Sequence, residues 1–186
     1  MLIGKSGSGK DSIKKELVKN PDFHNIIGVT TRPKRDNESS LAYHFISKEE
    51  FINKLLNNLL LTGSVYNGWG YGIYNSELAK DKINIGVFSL NDLDIINQTN
   101  ENHRMDIKVI LVNCDAKERL LRQLYREKEP NVDEIIRRYS ADEEEYKNFN
   151  FLELKNIKLY TIDNTLTLED SVQETLKIIN NNDWTK

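Results

Sequence analysis

The sequence predicts an α/β protein: a mostly parallel sheet with helices packed on both faces. Three observations lead there. A glycine-rich stretch, "GKSGSGKDS" (residues 4–12), lies between a short apolar run and a segment of helical periodicity. Apolar runs of strand length, "INIGVFSL" and "IKVILV", recur further along and alternate with amphipathic segments. Those runs are almost continuously apolar, as strands covered on both faces are. Strand–helix alternation of this kind builds a parallel sheet, with ligands at the carboxyl ends of its strands. The glycine loop sits at the first such end.

The elements follow in order. In "DSIKKELVK", Ile13, Leu17 and Val18 share one helical face. "IIGVTTR" is read as a strand and "PKRDNESS" as a polar loop. Ser47 and Glu50 form an S-x-x-E capping box that opens a helix through "EEFINKLLNNLL", with Phe51, Leu55 and Leu59 stacked along it. "LTGSVYNGWGYGIYN" holds four glycines and four aromatics, so it is expected to be irregular or short-stranded. Asp115 with Glu118 caps a helix over "AKERLLRQLYREKE", which Pro130 closes. A second helix, "VDEIIRRYSADEEEYKNF", aligns Ile135, Tyr139, Tyr146 and Phe149. After the strand "IKLYTI", Thr167 and Asp170 open a last helix carrying Leu168, Val172, Leu176 and Ile179.

Bulk properties narrow the function. At 186 residues the chain suits one domain. Its net charge of −3 and pI near 5.7 argue against a nucleic-acid-binding surface. One cysteine, Cys114, excludes an internal disulfide and fits a reducing compartment. No apolar run approaches membrane-spanning length, and "MLIGKSGSGK" lacks the apolar core of a signal peptide, so a cytoplasmic protein is expected. Seven of the eight arginines lie in two windows: Arg32 and Arg35, then Arg119, Arg122, Arg126, Arg137 and Arg138. Arginine's planar fork suits bidentate phosphate contacts, so two clusters and a lysine-bearing glycine loop suggest a site for several phosphates. His24, His44 and His103 have no ligand spacing to one another or to Cys114.

The loop itself follows the phosphate-binding pattern of Gly, four residues, Gly, Lys, then Ser or Thr, except in its last step. Gly4, Gly9 and Lys10 comply, while Asp11 stands where the hydroxyl belongs. Glycines at 4, 7 and 9 let backbone N–H groups surround an anion, the following helix adds the positive end of its dipole, and Lys10 reaches the outer phosphates. Asp11 has two readings: a contact to Mg²⁺, direct or through water, or a helix cap. Asp115 and Trp69 also have two readings each, metal-organising against capping and base-flanking against packing.

"VTTRPKRDNESSLAYHFISKEEF" (residues 29–51) followed by "YNGWGYG" (residues 66–72) resembles the guanylate kinases. Their pattern reads "TTRxxRxxE…DYxFxxxxxF" and then "GxxYG", after a "GPSGSGKST"-like loop. Thr30, Thr31, Arg32, Arg35, Glu38, Tyr43, Phe45, Phe51, Tyr71 and Gly72 match in order, with one residue fewer between Glu38 and Tyr43. The helix with Arg122 and Arg126, and then "EIIRRYSADEEE", is similar to the family's lid, with Arg138 as its last arginine.

The resemblance implies a P-loop NTPase three-layer fold in one domain, residues 1–186. Its core covers about 1–28, 80–118 and 150–186, with an inserted NMP-binding subdomain over about 29–79 and a helical lid over about 119–149. It implies transfer of the ATP γ-phosphoryl to GMP or dGMP with Mg²⁺. Gly4, Ser6, Gly7, Ser8, Gly9, Lys10, Asp11 and Ser12 would bind ATP, with Asp11 facing the metal. Lys10, Arg122, Arg126 and Arg138 would be catalytic. Arg32, Arg35, Tyr43 and Tyr71 would hold the acceptor phosphate, with Glu38, Thr62 and Asn91 also on the acceptor side.

The guanine-reading positions depart from the family. Its base-binding glutamate falls at Thr62, a serine becomes Gly28, the Ser or Thr after "YG" becomes Ile73, and an aspartate falls near Asn91 of "FSLND". Two alternatives follow: a kinase for a different (d)NMP, or a catalytically silent guanylate-kinase-like binding module. Retention of Gly9, Lys10, Arg122, Arg126 and Arg138 argues against the second. The first strand is also shorter than the family's, and no motif specifies an oligomeric state.

Overall fold

The computed structural model describes residues 1–34, 39, 42–66, 68–103, 105–126, 128–155, 157–165 and 167–181. Its strands are β1 (Leu2–Ile3), β2 (Phe23–Asn25), β3 (Gly28–Thr30), β4 (Tyr43–Phe45), β5 (Leu60–Tyr66), β6 (Trp69–Tyr74), β7 (Ile83–Ile85), β8 (Lys108–Asn113) and β9 (Lys158–Asp163). Its helices are α1 (Lys10–Leu17), α2 (Lys48–Leu56), α3 (Leu90–His103), α4 (Ala116–Arg126), α5 (Val132–Asn148) and α6 (Leu168–Asn180).

The central sheet is parallel throughout. β1 pairs with β8 (Leu2 opposite Ile110) and β8 with β9, while β2 pairs with β7 (Phe23 opposite Ile83). The chain after β7 joins these pieces: Leu2 N–H donates to Gly86 O (2.9 Å) and Phe88 N–H donates to Leu2 O (3.0 Å). The order is therefore β2-β7-β1-β8-β9. Alternate residues feed two cores, as the pleat requires. Leu2, Ile85, Ile110, Val112 and Ile162 pack with Ile13 and Leu17 of α1 and Val172 and Leu176 of α6. Ile3, Phe88 and Val109 pack with Leu90, Leu93 and Ile96 of α3 and Tyr146 and Phe149 of α5. β1 is two residues long, yet Leu2 and Ile3 are fully buried in opposite layers.

A second sheet, ordered β4-β3-β6-β5, carries the segment that resembles the acceptor motif. Residues directly opposite in such a sheet share a face. Thr62 lies opposite Ile73, Ser64 opposite Tyr71, Tyr71 opposite Thr30, and Thr30 opposite Phe45. The other face is covered by α2: a Cβ on Gly63 would stand 2.8 Å from Leu55, and one on Gly70 would stand 2.8 Å from the Phe51 ring.

Two expectations differ from the observed elements. The strand expected over 26–32 serves both sheets: Ile26 N–H still donates to Ile85 O (2.9 Å), and from Gly28 the chain pairs with β4 and β6 instead. The glycine-rich stretch expected to be irregular forms the β5–β6 hairpin, closed by Tyr66 opposite Trp69, with Gly68 at φ +75°. The Asn-Gly step is a strong hairpin signal, and the alternation around it is masked by glycines that yield space to α2. Helix α2 begins as expected, with Glu50 N–H donating to Ser47 Oγ (3.0 Å), but stops before Leu59 because Asn58 turns to φ +53°. Thr167 likewise caps α6, accepting from Asp170 N–H (3.1 Å), and Asp115 accepts from Lys117 N–H (2.9 Å) at α4, its capping reading. Among the described residues no helix is long and apolar enough to cross a membrane.

Candidate active site

The glycine loop follows β1 and runs into α1. Gly7 and Gly9 adopt φ +80° and +94°, a region that glycine enters at no steric cost. The loop also lies directly on α4 and the end of β9, because a Cβ on Gly7 would strike the Arg119 backbone and one on Gly9 the Asn164 side chain. Lys10 folds back over the loop, donating from Nζ to Gly4 O (2.6 Å) and Lys5 O (3.0 Å). Desolvation holds its ammonium below the usual lysine range, and the nearby Asp11 and Asp142 carboxylates oppose that shift. Asp11 and Ser12 are exposed in the first turn of α1. Gly9 stands at the N-cap with no side-chain hydrogen bond, so Asp11 has not taken over as the capping residue.

Three elements converge on this loop. Helix α5 docks onto it: Gly4 N–H donates to Tyr146 Oη (2.6 Å), Ser6 N–H donates to Asp142 Oδ2, and Lys5 Nζ donates to Glu143 (2.5 Å). Helix α4 touches it through Gln123, whose Nε2 donates to Ser6 O (3.5 Å). Asn164, following β9, donates from Nδ2 to the carbonyl of the fully buried Ser8 (2.7 Å) and accepts at Oδ1 from Ser171 Oγ (2.8 Å). Its own carbonyl accepts from Arg122 Nη2 (2.9 Å), which sets that guanidinium beside the loop.

The arginines divide by environment. Arg122 also pairs with Glu118 (3.1 Å), and half-buried Arg138 pairs with Glu134 (2.7 Å). Arg126 is exposed at the end of α4. Arg119 is 3 % exposed, pairs with Glu143 (2.5 Å) and stacks 4.9 Å over Tyr139, so it ties α4 to α5.

On the second sheet Arg32 is buried, 5.1 Å over the Tyr43 ring and 5.6 Å over Phe45, and Tyr43 meets Tyr71 edge-on at 6.5 Å. Stacking fixes the guanidinium plane, and Nη1 donates to Pro33 O (2.9 Å). Thr62, on the same face, is 1 % exposed and its hydroxyl has no partner among the described residues. Asn91 is exposed in the first turn of α3. Arg35 and Glu38 lie outside the described residues.

A glycine loop under a lysine, faced by arginine-bearing helices and accompanied by an aromatic-flanked arginine on a separate sheet, suits two phosphate-bearing ligands. The guanylate kinase family model matches residues 1–180. The chain belongs to the guanylate kinase family. It is similar to the guanylate kinase of Clostridium tetani (strain Massachusetts / E88), 29% identical over 182 residues that cover 96% of this chain and 83% of that protein. The Thermotoga maritima guanylate kinase is 30% identical over 150 residues, 76% of this chain and 70% of that one. In fold it is similar to the crystal structure of guanylate kinase from Anaplasma phagocytophilum, with a TM-score of 0.65 at 17% identity, covering 96% and 83% of the two chains. Within this guanylate kinase fold, sequence reasoning missed Asn164, Tyr146 and Asp142, which contact the loop from more than a hundred residues away. It also missed Asp92, although "SLND" carries the S-x-x-D spacing of a capping box.

Proposed function

We propose that this chain is an ATP-dependent nucleoside monophosphate kinase that transfers the γ-phosphoryl group of ATP to GMP or dGMP. The observation that carries this reading is the convergence on one glycine loop of Lys10 from α1, Arg122 through Asn164, and the Arg138-bearing helix α5 through Tyr146 and Asp142. In this reading residues 4–12 cradle the ATP phosphates with backbone N–H groups and Lys10 neutralises the outer ones. Arg122, Arg126 and Arg138 close over the transferring group. Arg32, with Tyr43 and Tyr71, holds the acceptor's phosphate, and the family resemblance adds Arg35 and Glu38. An acceptor phosphate oxygen attacks the γ-phosphorus, the bond from that phosphorus to the β–γ bridging oxygen breaks, and ADP leaves. Such catalysis is largely positioning and charge neutralisation. In the family's terms the chain comprises a core, an acceptor subdomain and a lid, acting in the cytoplasm.

Among the described residues no group of three or more His, Cys, Asp or Glu could hold a metal, and Asp11 is the acid in the first turn of α1. That fits Mg²⁺ carried mainly by phosphates and touched by Asp11, directly or through water. Held there, Mg²⁺ would supply charge neutralisation for the transferring phosphoryl group. A coupled assay of ADP release with a panel of (d)NMPs in magnesium buffer tests the proposal, with turnover expected for GMP and dGMP. No turnover with any acceptor and no binding of Mg-ATP would refute it in favour of a silent binding module.

A further inference from the structure

We propose that Asp142 is an internal anion of the donor site: its carboxylate occupies the glycine loop until the donor's phosphates displace it, and so it sets how tightly ATP binds. The assignment rests on the kinase reading above. Asp142 is half-buried on α5, and its Oδ2 accepts from Ser6 N–H. A carboxylate on a backbone N–H of a glycine loop makes the charge-assisted hydrogen bond that a phosphate oxygen makes in such a loop. The same carboxylate is near enough to Lys10 for its charge to act on the ammonium.

The neighbours of Asp142 show that α5 is docked by other groups. Glu143 accepts from Lys5 Nζ (2.5 Å) and from Arg119 Nη2 (2.5 Å), tying α5 to the loop and to α4. One turn further on, Tyr146 Oη accepts from Gly4 N–H (2.6 Å). Asp142, by contrast, forms no ion pair among the described residues, and its hydrogen bond goes to the loop backbone. Glu143 and Tyr146 hold the helix, while Asp142 adds a negative charge to a loop built to receive one.

Residues four apart share a helix face, so Arg138, Asp142 and Tyr146 form one stripe along α5. Asp142 therefore has Lys10 across the loop and Arg138 one helical turn away. Those are two of the cations that the kinase reading gives to the transferring phosphoryl group. Like charges repel, so a phosphate entering between these cations drives the carboxylate out. Half-buried and on a helix that others anchor, the Asp142 side chain can turn to water without undocking α5.

Calorimetric titration with Mg-ATP, thermal melts and the Ser6 amide resonance test this in wild type, Asp142→Asn and Asp142→Ala. Asp142→Asn keeps the size and an oxygen for Ser6 but removes the charge, and Asp142→Ala removes the competitor altogether. Both should bind Mg-ATP about 3- to 30-fold more tightly, with the Tm of the free protein level or lower. The Ser6 resonance should differ between free wild type and free Asp142→Ala, and Mg-ATP should bring the two together. Glu143→Gln is the contrast: it strands Arg119 and should lower Tm and weaken Mg-ATP binding. If both Asp142 variants bind Mg-ATP as wild type does, or more weakly, Asp142 is a docking residue like Glu143 and the assignment fails. Tighter binding with the same Ser6 resonance in free wild type and Asp142→Ala also overturns it, because the carboxylate then acts as a distant charge. So does a Ser6 resonance that stays apart in the two Mg-ATP complexes, because the carboxylate has then not left. Mg-ATP bound by neither wild type nor variants would refute the kinase reading itself, which is a different outcome.

Discussion

Asn164 is the joint through which the last strand holds the glycine loop, and Asn164→Ala tests that arrangement. The side chain is 3 % exposed and its Nδ2 donates to Ser8 O at 2.7 Å. Its Oδ1 accepts from Ser171 Oγ, but Ser171 retains other acceptors in Thr167 O (3.1 Å) and Asp163 O (3.3 Å). The truncation therefore strands mainly the Ser8 carbonyl, in a residue with no exposed surface. An unsatisfied buried polar group costs about 1–3 kcal/mol. For a chain of this size each kcal/mol lowers Tm by about 2–4 °C, so a fall of about 2–12 °C is expected in a thermal melt followed by circular dichroism. On the proposed reading Ser8 lies within the turn that holds the ATP phosphates, so part of the loss should reappear as a higher KM for ATP, about tenfold for each 1.4 kcal/mol transferred. A variant melting within about 1 °C of wild type, with its ATP KM unchanged, would refute the view that Asn164 shapes the loop.

Three further outcomes are expected. Lys10→Met should cut kcat by about 10²–10³-fold in the coupled assay, with the fold intact by circular dichroism, because it removes the cation that now lies on Gly4 O and Lys5 O. Asp11→Thr restores the missing hydroxyl and removes a charge from the loop, so the KM for Mg-ATP should fall by up to about fivefold, measured across magnesium concentrations. Arg137 and Arg138 hold the Glu134 carboxyl down to about 2. A depressed carboxylate stabilises the fold above its unfolded value and loses that contribution as pH falls through the folded one, here from about 4.5 to about 2. Glu134→Gln should therefore melt about 1–4 °C below wild type at pH 7, and melts repeated down to pH 2.5 should find the gap closing.

The architecture was legible because local signals and global fold agree here. Continuous apolar runs became the central sheet, and the caps at Ser47, Asp115 and Thr167 are made as their spacing requires. The hairpin was obscured because Gly63, Gly70 and Gly72 replace the alternating apolar residues that mark a strand. The glycine loop was readable in one stretch, but what holds it was not. Tyr146, Asp142 and Asn164 reach it from positions 142, 136 and 156 residues away, and pattern within a window carries no information about such pairings. The Ser89–Asp92 cap of α3 was legible only as spacing: Asp92 is buried and accepts from Ser89 N–H, whereas Asn91, which the resemblance placed on the acceptor side, is exposed.

The resemblance assigns Arg122, Arg126 and Arg138 to the phosphates, and the structure pairs two of them with nearby acids. On the proposed reading the two roles are compatible. Arg122 pairs with Glu118 and Arg138 with Glu134 through carboxylates that are 40 % and 35 % exposed. Ion pairs in such settings contribute about 0–1 kcal/mol, so they restrain a guanidinium without binding it tightly. A polyphosphate carries more charge and accepts the same bidentate fork, so it displaces a glutamate at little energetic loss. Arg119 differs in kind: it is 3 % exposed and stacks on Tyr139, and removing its partner Glu143 would strand a buried cation. On the proposed reading Glu118 and Glu134 keep the two arginines oriented until an anion arrives, while buried Arg119, through Glu143 and Tyr139, holds α4 to α5.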